Sequence, residues 1–401
     1  MRHSAPARRR RTTRLSVLAV LAAVIAALFA TSVGPAGAQS TTTTTGGTIR
    51  IGLEGPLSGD QKAIGQGMLK GAQLAAKQLN ANGGLNGRQV EIVPIDDAAD
   101  PDTGVKAAQA AIAAGLDGIV GPYNSGVGAK TLPLYIDAGL VPIRLTSADS
   151  TNGLGFTLQP MTYQIAPVAS DALTEWIGAE SVAIVYDDST LYTQSVSSAL
   201  KGELEAAGVT ISAFEPIQPG ASTYEATIDK VAATDPDVIY LAAYYPEAGL
   251  MAKEMFEGKV APTCVADYGA YSTAFPQVAG KKAAAECPVV GVPAPHEFSG
   301  AKQYVKAYRQ QFGEAPGAWS PYTYDSVNFL AEGVEKAGSF DATALTTALT
   351  GLTGFSGWTG PVTIDPATKN REPATVVVLR SDRKGAFHLE EDWAKAVDAQ
   401  I

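Results

Sequence analysis

Gly126-Val127-Gly128-Ala129-Lys130-Thr131 follows the apolar run at 116–120 and has the general look of a phosphate cradle. A nucleotide loop of the Walker A type needs Gly, four residues and then Gly-Lys-Ser/Thr, so that bare backbone N–H groups can wrap the phosphates. Here Asn124 and Ala129 occupy the two glycine positions, which removes that chemistry. Gly65, Gly67 and Gly71 are spaced G-x-G-x-x-x-G rather than in the dinucleotide pattern and stand well beyond the preceding strand, so close helix packing is their expected use. There is no G-x-S-x-G elbow, and a Ser/His/Asp triad would have to draw on His296 or His388. An exported hydrolase is therefore disfavoured. A metal centre is also not expected, because neither histidine has a Cys or another His within ligand spacing. No cofactor is implied.

What the same stretch does offer is binding. Tyr123-Asn124-Ser125 forms a strand end and a small polar turn before a helix that should start near residue 126. Free N–H groups at a helix start attract anions, and a carboxylate suits them as well as a phosphate does. Ser125 adds a hydroxyl, read as an N-cap donor; an ordinary serine cap is the plainer alternative. The next strand end, 144–151, brings Thr146, Ser147 and the Ala148 backbone to the same sheet edge, where open α/β sheets bind ligands. Later strand ends carry Tyr192, the pair Tyr244-Tyr245, and Asp267. An acid and aromatic rings opposite an anion cradle would suit a zwitterion.

The elements that must position these residues follow from hydrophobic patterning. From residue 48, short β-branched runs alternate with Ala-rich stretches of helical period, the signature of parallel sheets with crossover helices. A second such set starts at 181, so two similar doubly wound α/β lobes are expected. Helical stretches at 301–312 and 320–337 precede a strand-rich tail at 360–389 that could extend either sheet. Ahead of the first strand, residues 1–14 carry six arginines and no acid, and 15–30 are apolar. Small residues at 36–38 complete a secretory signal peptide, 1–38, followed by a Thr/Gly-rich spacer, 39–47. A retained membrane anchor is the alternative, although the apolar core is short of the ~20 residues that span a bilayer.

Loss of the six leader arginines takes the formal charge from −10 to −16, which argues against nucleic-acid or anionic-lipid surfaces. Cys264 and Cys287 are the only cysteines. In an exported chain they are expected to form one disulfide, with two buried free thiols as the alternative.

The segment from Gly47 to Pro101, with its G…G…A…N…GG-x-x-G-R…D pattern, together with "GPYNSG" and "YYPEAG", resembles the branched-chain amino acid type of solute-binding protein of ABC transporters. The resemblance covers almost all of the chain after the leader. It implies a type I periplasmic-binding-protein fold: two doubly wound parallel-sheet lobes joined by a three-crossing hinge, lobe 1 from 48–162 plus 297–372 and lobe 2 from 163–296 plus 373–401. It further implies that Ser125, Thr146, Ser147 and the Ala148 backbone hold a ligand carboxylate, while Asp267, Tyr192 and Tyr244 hold the ammonium and enclose the side chain. Tyr123 is expected to shape the pocket. Departures from the family pattern are Ser147-Ala148 for a common Ala-Thr pair, Tyr268 for a Gly after the acid, and Ile64 for a frequent aromatic. The expected role is that of a non-enzymatic, exported, unlipidated monomer delivering an amino acid or similar small carboxylate to a membrane permease. A ligand sensor of the same fold, or a binder of urea, amides or aromatic acids, is the alternative.

Overall fold

The computed structural model describes residues 47–399, so the leader and most of the spacer lie outside the described residues. The first sheet is made of β1 (Ile49–Gly55), β2 (Val90–Asp96), β3 (Gly118–Val120), β4 (Pro142–Arg144) and β5 (Phe156–Thr157), all parallel and in the order 2-1-3-4-5. Its crossovers are α1 (Lys62–Ala81), α2 (Pro101–Ala113) and α3 (Ser125–Asp137). Helix α2 starts where it does because the Asp100 carboxylate accepts from the Thr103 N–H and a proline follows directly.

The second sheet repeats that order. Strands β6 (Ser181–Asp187), β7 (Thr210–Ile217), β8 (Val238–Ala242), β9 (Thr263–Ala266) and β10 (Val289–Gly291) lie as 7-6-8-9-10, which is again 2-1-3-4-5 within the set. The helices of this lobe are α4 (Thr162–Asp171, continued by a wider turn over Ala172–Ile177), α5 (Leu191–Ala206), α6 (Glu225–Ala232), α7 (Tyr245–Gly258), α8 (Phe275–Val278) and α9 (Lys281–Glu286). Strands covered by helices on both faces read as continuous apolar runs, and β8, Val-Ile-Tyr-Leu-Ala, is buried throughout.

The chain then returns to the first lobe with α10 (Ala301–Phe312), α11 (Ser320–Ala337) and α12 (Ala342–Thr350), followed by a small hairpin of β11 (Ser356–Gly357) and β12 (Gly360–Pro361). Helix α11 packs on α1 so closely that a Cβ on Gly71 would stand 2.2 Å from the Ser320 carbonyl oxygen; Gly67 likewise faces Gly317. Gly71 of the near-miss dinucleotide pattern thus serves helix packing, whereas Gly65 lies against the loop after β1, where a Cβ would stand 2.1 Å from the Pro56 carbonyl oxygen. The tail open to either sheet divides: β12 stays in its hairpin, whereas β13 (Val377–Ser381) and β14 (Phe387–Leu389) extend the second sheet antiparallel, before α13 (Glu391–Ala396).

The chain therefore passes between the sheets after β5, after β10 and after β12, which gives the two-lobed, three-crossing arrangement of a type I periplasmic binding protein. The first and third crossings lie side by side: Thr157 pairs with Asn370, and the Arg371 N–H donates to the Thr157 carbonyl at 2.9 Å. A disulfide joins Cys264 on β9 to Cys287 just after α9, in lobe 2. Among the described residues no helix is long and apolar enough to cross a membrane.

Candidate functional site

In lobe 1 the wall of the cleft begins where β3 ends. Gly121 adopts φ +99°, and a Cβ there would sit 2.1 Å from the Glu54 carbonyl oxygen, so only glycine lets the chain turn toward Tyr123. Asn124, not Ser125, caps α3; Ser125 is its first residue. That corrects the expected cap and frees the Ser125 hydroxyl for another task. Its Oγ accepts from the N–H groups of Ser147 at 3.2 Å and Ala148 at 3.1 Å, binding the two strand ends together. Ser147 donates its hydroxyl to the Pro160 carbonyl at 2.9 Å and accepts from Gln159 at 3.1 Å.

Thr146, expected among the carboxylate contacts, turns its hydroxyl away from this group. Its Oγ1 lies 2.8 Å from Thr151 Oγ1, in a buried network around Arg144. The Thr146 methyl group faces Gly128 of α3, where an added Cβ would stand 2.5 Å from it. Arg144 is wholly buried and donates to the Thr146 carbonyl at 3.0 Å, to Asn370 and to Thr151. Burial pulls its guanidinium down to about 9, and it makes no salt bridge among the described residues. At neutral pH it remains a cation behind the Ser147 turn.

Lobe 2 supplies the opposite wall from the ends of β6, β8 and β9. Asp267 is fully buried. Its Oδ2 accepts from the Tyr192 hydroxyl at 2.8 Å and the Gly269 N–H at 2.9 Å, and its Oδ1 accepts from the Tyr240 hydroxyl at 2.7 Å. Burial raises the Asp267 carboxyl above its ordinary range, opposed by those donors. Burial, reinforced by Asp267, pushes both phenols well above theirs, so they stay protonated and donating. Tyr192 is held in the first turn of α5, which Thr190 caps by accepting from Thr193 N–H. Tyr244 directly precedes α7, with its ring centroid 6.1 Å from that of Tyr192.

The two walls meet. Tyr123 and Tyr244 lie 6.2 Å apart across the cleft, Tyr268 packs 5.0 Å from Trp319 of lobe 1, and the Tyr245 hydroxyl donates to the Asp60 carbonyl. Tyr123, Ser125, Leu145, Ser147, Tyr192, Tyr244 and Tyr268 enclose a space of about 10 Å³ for the centre of a water-sized sphere. Around it the Tyr268 hydroxyl, Trp319 Nε1 and Asn124 Oδ1 are buried without a hydrogen-bond partner. Such groups are costly, at roughly 1–3 kcal/mol each.

Sequence reasoning missed four of these residues. Tyr240 lies inside an apolar strand and reads as core, while Trp319 and Gln159 arrive from other parts of the chain. Arg144 did carry a signal, a charge within a buried-strand pattern. Folding also brings His296 and His388, 92 residues apart in the chain, to 3.3 Å.

Two lobes of equal strand order, facing each other across a polar, aromatic-lined cleft at their strand ends, define the bilobal class of solute-binding proteins. Residues 48–386 match the family model described as periplasmic binding protein, and the chain belongs to that family, in its branched-chain amino acid type. It is 31% identical over 307 residues to the Leu/Ile/Val-binding protein BraC3 of Rhizobium johnstonii, covering 75% of this chain and 83% of that one. It is 28% identical over 345 residues to Leu/Ile/Val-binding protein homolog 2 of Brucella abortus, covering 84% and 91%. Among solved structures, it is similar to the branched-chain amino acid transporter substrate binding protein LivJ from Streptococcus pneumoniae, in complex with isoleucine, with TM-score 0.77 and 25% identity over 85% of this chain and 99% of that one.

Proposed function

We propose that this protein captures an α-amino acid with a branched apolar side chain in the inter-lobe cleft and hands it to the membrane permease of an ABC importer. The observation that carries this reading is the opposite polarity of the walls. Lobe 1 offers N–H and hydroxyl donors at Ser125, Ser147 and Ala148, with the Arg144 cation behind them; lobe 2 offers the Asp267 carboxylate. A ligand carboxylate would take the amides that Ser125 now receives, and an ammonium would replace a phenol donor on Asp267. Tyr123, Tyr192, Tyr244 and Tyr268 would enclose the side chain.

The present space is far below the ~300 Å³ at which small-molecule pockets begin. Entry therefore requires the lobes to part, and Tyr123 and Tyr268 to swing aside, about the three crossings. Lobe 1 comprises 48–162 and 297–372, and lobe 2 comprises 163–296 and 373–401, a division supported by the sheet each described segment joins. Binding and release do the work, with the ligand shifting the opening equilibrium by its preference for the closed form. The leader pattern supports export of the chain.

A second reading has one observation in its favour. Asp267 already holds three donors, so a carboxylate without an amine would leave it content. A thermal-shift screen of ligand-stripped protein separates the two. A ligand at 100 times its Kd adds about 2.7 kcal/mol. Shifts from leucine, isoleucine or valine but not from their des-amino analogues support the amino-acid reading. Shifts from aromatic or des-amino acids alone replace it with the second.

A further inference from the structure

We propose a second binding site, remote from the cleft residues in sequence and composition, for a zinc-class divalent cation held by His296, His388 and Glu297. The nitrogen and oxygen atoms these residues can offer lie within 4.8 Å of one another. His296 follows β10 on the second crossing between the lobes, and His388 stands on β14 of the C-terminal hairpin, so the site fastens two segments that no local pattern relates.

The geometry points to a metal rather than to a chance pairing in three ways. First, His296 Nε2 and His388 Nδ1 are 3.3 Å apart. Two imidazole nitrogens at 2.0–2.1 Å from one tetrahedral ion are separated by about 3.3 Å, so both rings already stand at ligand spacing. Second, if His388 ligates through Nδ1, the Asp382 carboxylate stands near its other nitrogen, with Oδ2 3.6 Å from Nε2, within ion-pair reach but beyond a hydrogen bond. A carboxylate behind a ligating histidine fixes its tautomer and raises its basicity, the arrangement that metal sites recurrently use. Third, Glu297 is itself anchored, accepting from the Ala294 N–H at 2.9 Å through Oε2 and from the Leu389 N–H at 2.7 Å through Oε1. Each oxygen keeps a further lone pair for an ion.

The two carboxylates, Glu297 and Asp382, balance a double positive charge, and mixed N/O donors suit zinc over magnesium or calcium. His296 and His388 are exposed, which gives an ion a path in from solvent. Nothing in this site depends on what the cleft binds. Occupancy would tie the second crossing to the hairpin that extends the lobe 2 sheet.

The test is titration of untagged full-length protein, stripped with chelator, with zinc by calorimetry and with cobalt by visible absorption. The expected result is one ion per chain, with ligand-field bands of tetrahedral intensity. Affinity should fall at least about 100-fold in His296→Ala and in His388→Ala, and roughly tenfold in Asp382→Asn. All three side chains are solvent-exposed or half-buried, and unchanged melting curves in chelator check that the variants fold. Failure of zinc to bind at sub-millimolar concentration, or equal binding by wild type and both histidine variants, overturns the proposal.

Discussion

Both walls of the cleft are built from sheets with the same strand order, and both present strand ends followed by helix starts; the chemistry laid on those ends differs. On lobe 1, every group at the wall is neutral or faces a cation: Ser125, two backbone amides, and Arg144 one layer behind. On lobe 2, an ionisable acid, Asp267, is buried directly behind Tyr192, gripped by two phenols and a backbone N–H. Repeating a fold thus yields two similar platforms, and a handful of strand-end residues gives them opposite electrical sense. A zwitterion needs that opposition, and a simple anion needs only the first half.

The buried acids of the two lobes sharpen the contrast. Asp267 has three donors, whereas Glu54, at the end of β1, accepts from Thr131 at 3.1 Å and lies against the Tyr135 hydroxyl. Glu54 is pushed well above the carboxylate range by burial, with the charge of nearby Asp97 adding to it. Burial likewise lifts Asp97 to about 7. Burial raises acids on both lobes, and lobe 1 holds the pair in which two such carboxyls, Glu54 and Asp97, oppose each other.

The largest expected effect follows from that pair. A carboxyl raised from 3.8 to about 7 binds its proton more tightly in the folded state, so its contribution is full below 3.8 and is lost as pH climbs through 7. Unfolding experiments should show stability falling by on the order of 4 kcal/mol over that window, and Asp97→Asn should flatten the fall. A wild-type profile without such a decline would remove the distinction between the lobes' acids. Next, in lobe 2, the disulfide closes a loop of sequence separation 23 that contains the Asp267 turn. Reducing it, or replacing both cysteines with alanine, should cost about 3 kcal/mol in denaturant melts. A loss confined to stability, with ligand affinity intact, would show that the staple does not position Asp267. The smallest effect belongs to lobe 1: Ser125→Ala should weaken ligands about tenfold, equally for amino acids and des-amino acids, because it removes one hydroxyl from the carboxylate end. Unequal losses would mean that Ser125 senses the amine.

The platforms were legible in the sequence because their signals are local. A β-branched run, a turn of small polar residues and an Ala-rich helix lie within one stretch, and they located Ser125, Ser147, Tyr192, Tyr244 and Asp267 at strand ends. Side-chain direction beyond a strand end was not legible, as with Thr146, whose hydroxyl turns into the Arg144 network. Partners recruited over long separations were hidden too. Tyr240 reaches Asp267 from within a buried strand, Trp319 comes from the segment after the second crossing, and the two histidines meet only through the hairpin. Spacing rules reach along the chain, whereas these contacts depend on which sheet the tail joins.

The central claim is that the two walls read the two ends of one amino acid. Calorimetric titration of leucine and its des-amino analogue into wild type and Asp267→Asn tests it most directly, since the cycle isolates the coupling between amine and carboxylate. The account predicts that removing the amine costs wild type about 100-fold, close to 3 kcal/mol, and that Asp267→Asn shows almost no such difference. Equal loss of the amine in both proteins, or leucine binding undiminished in the variant, would contradict it.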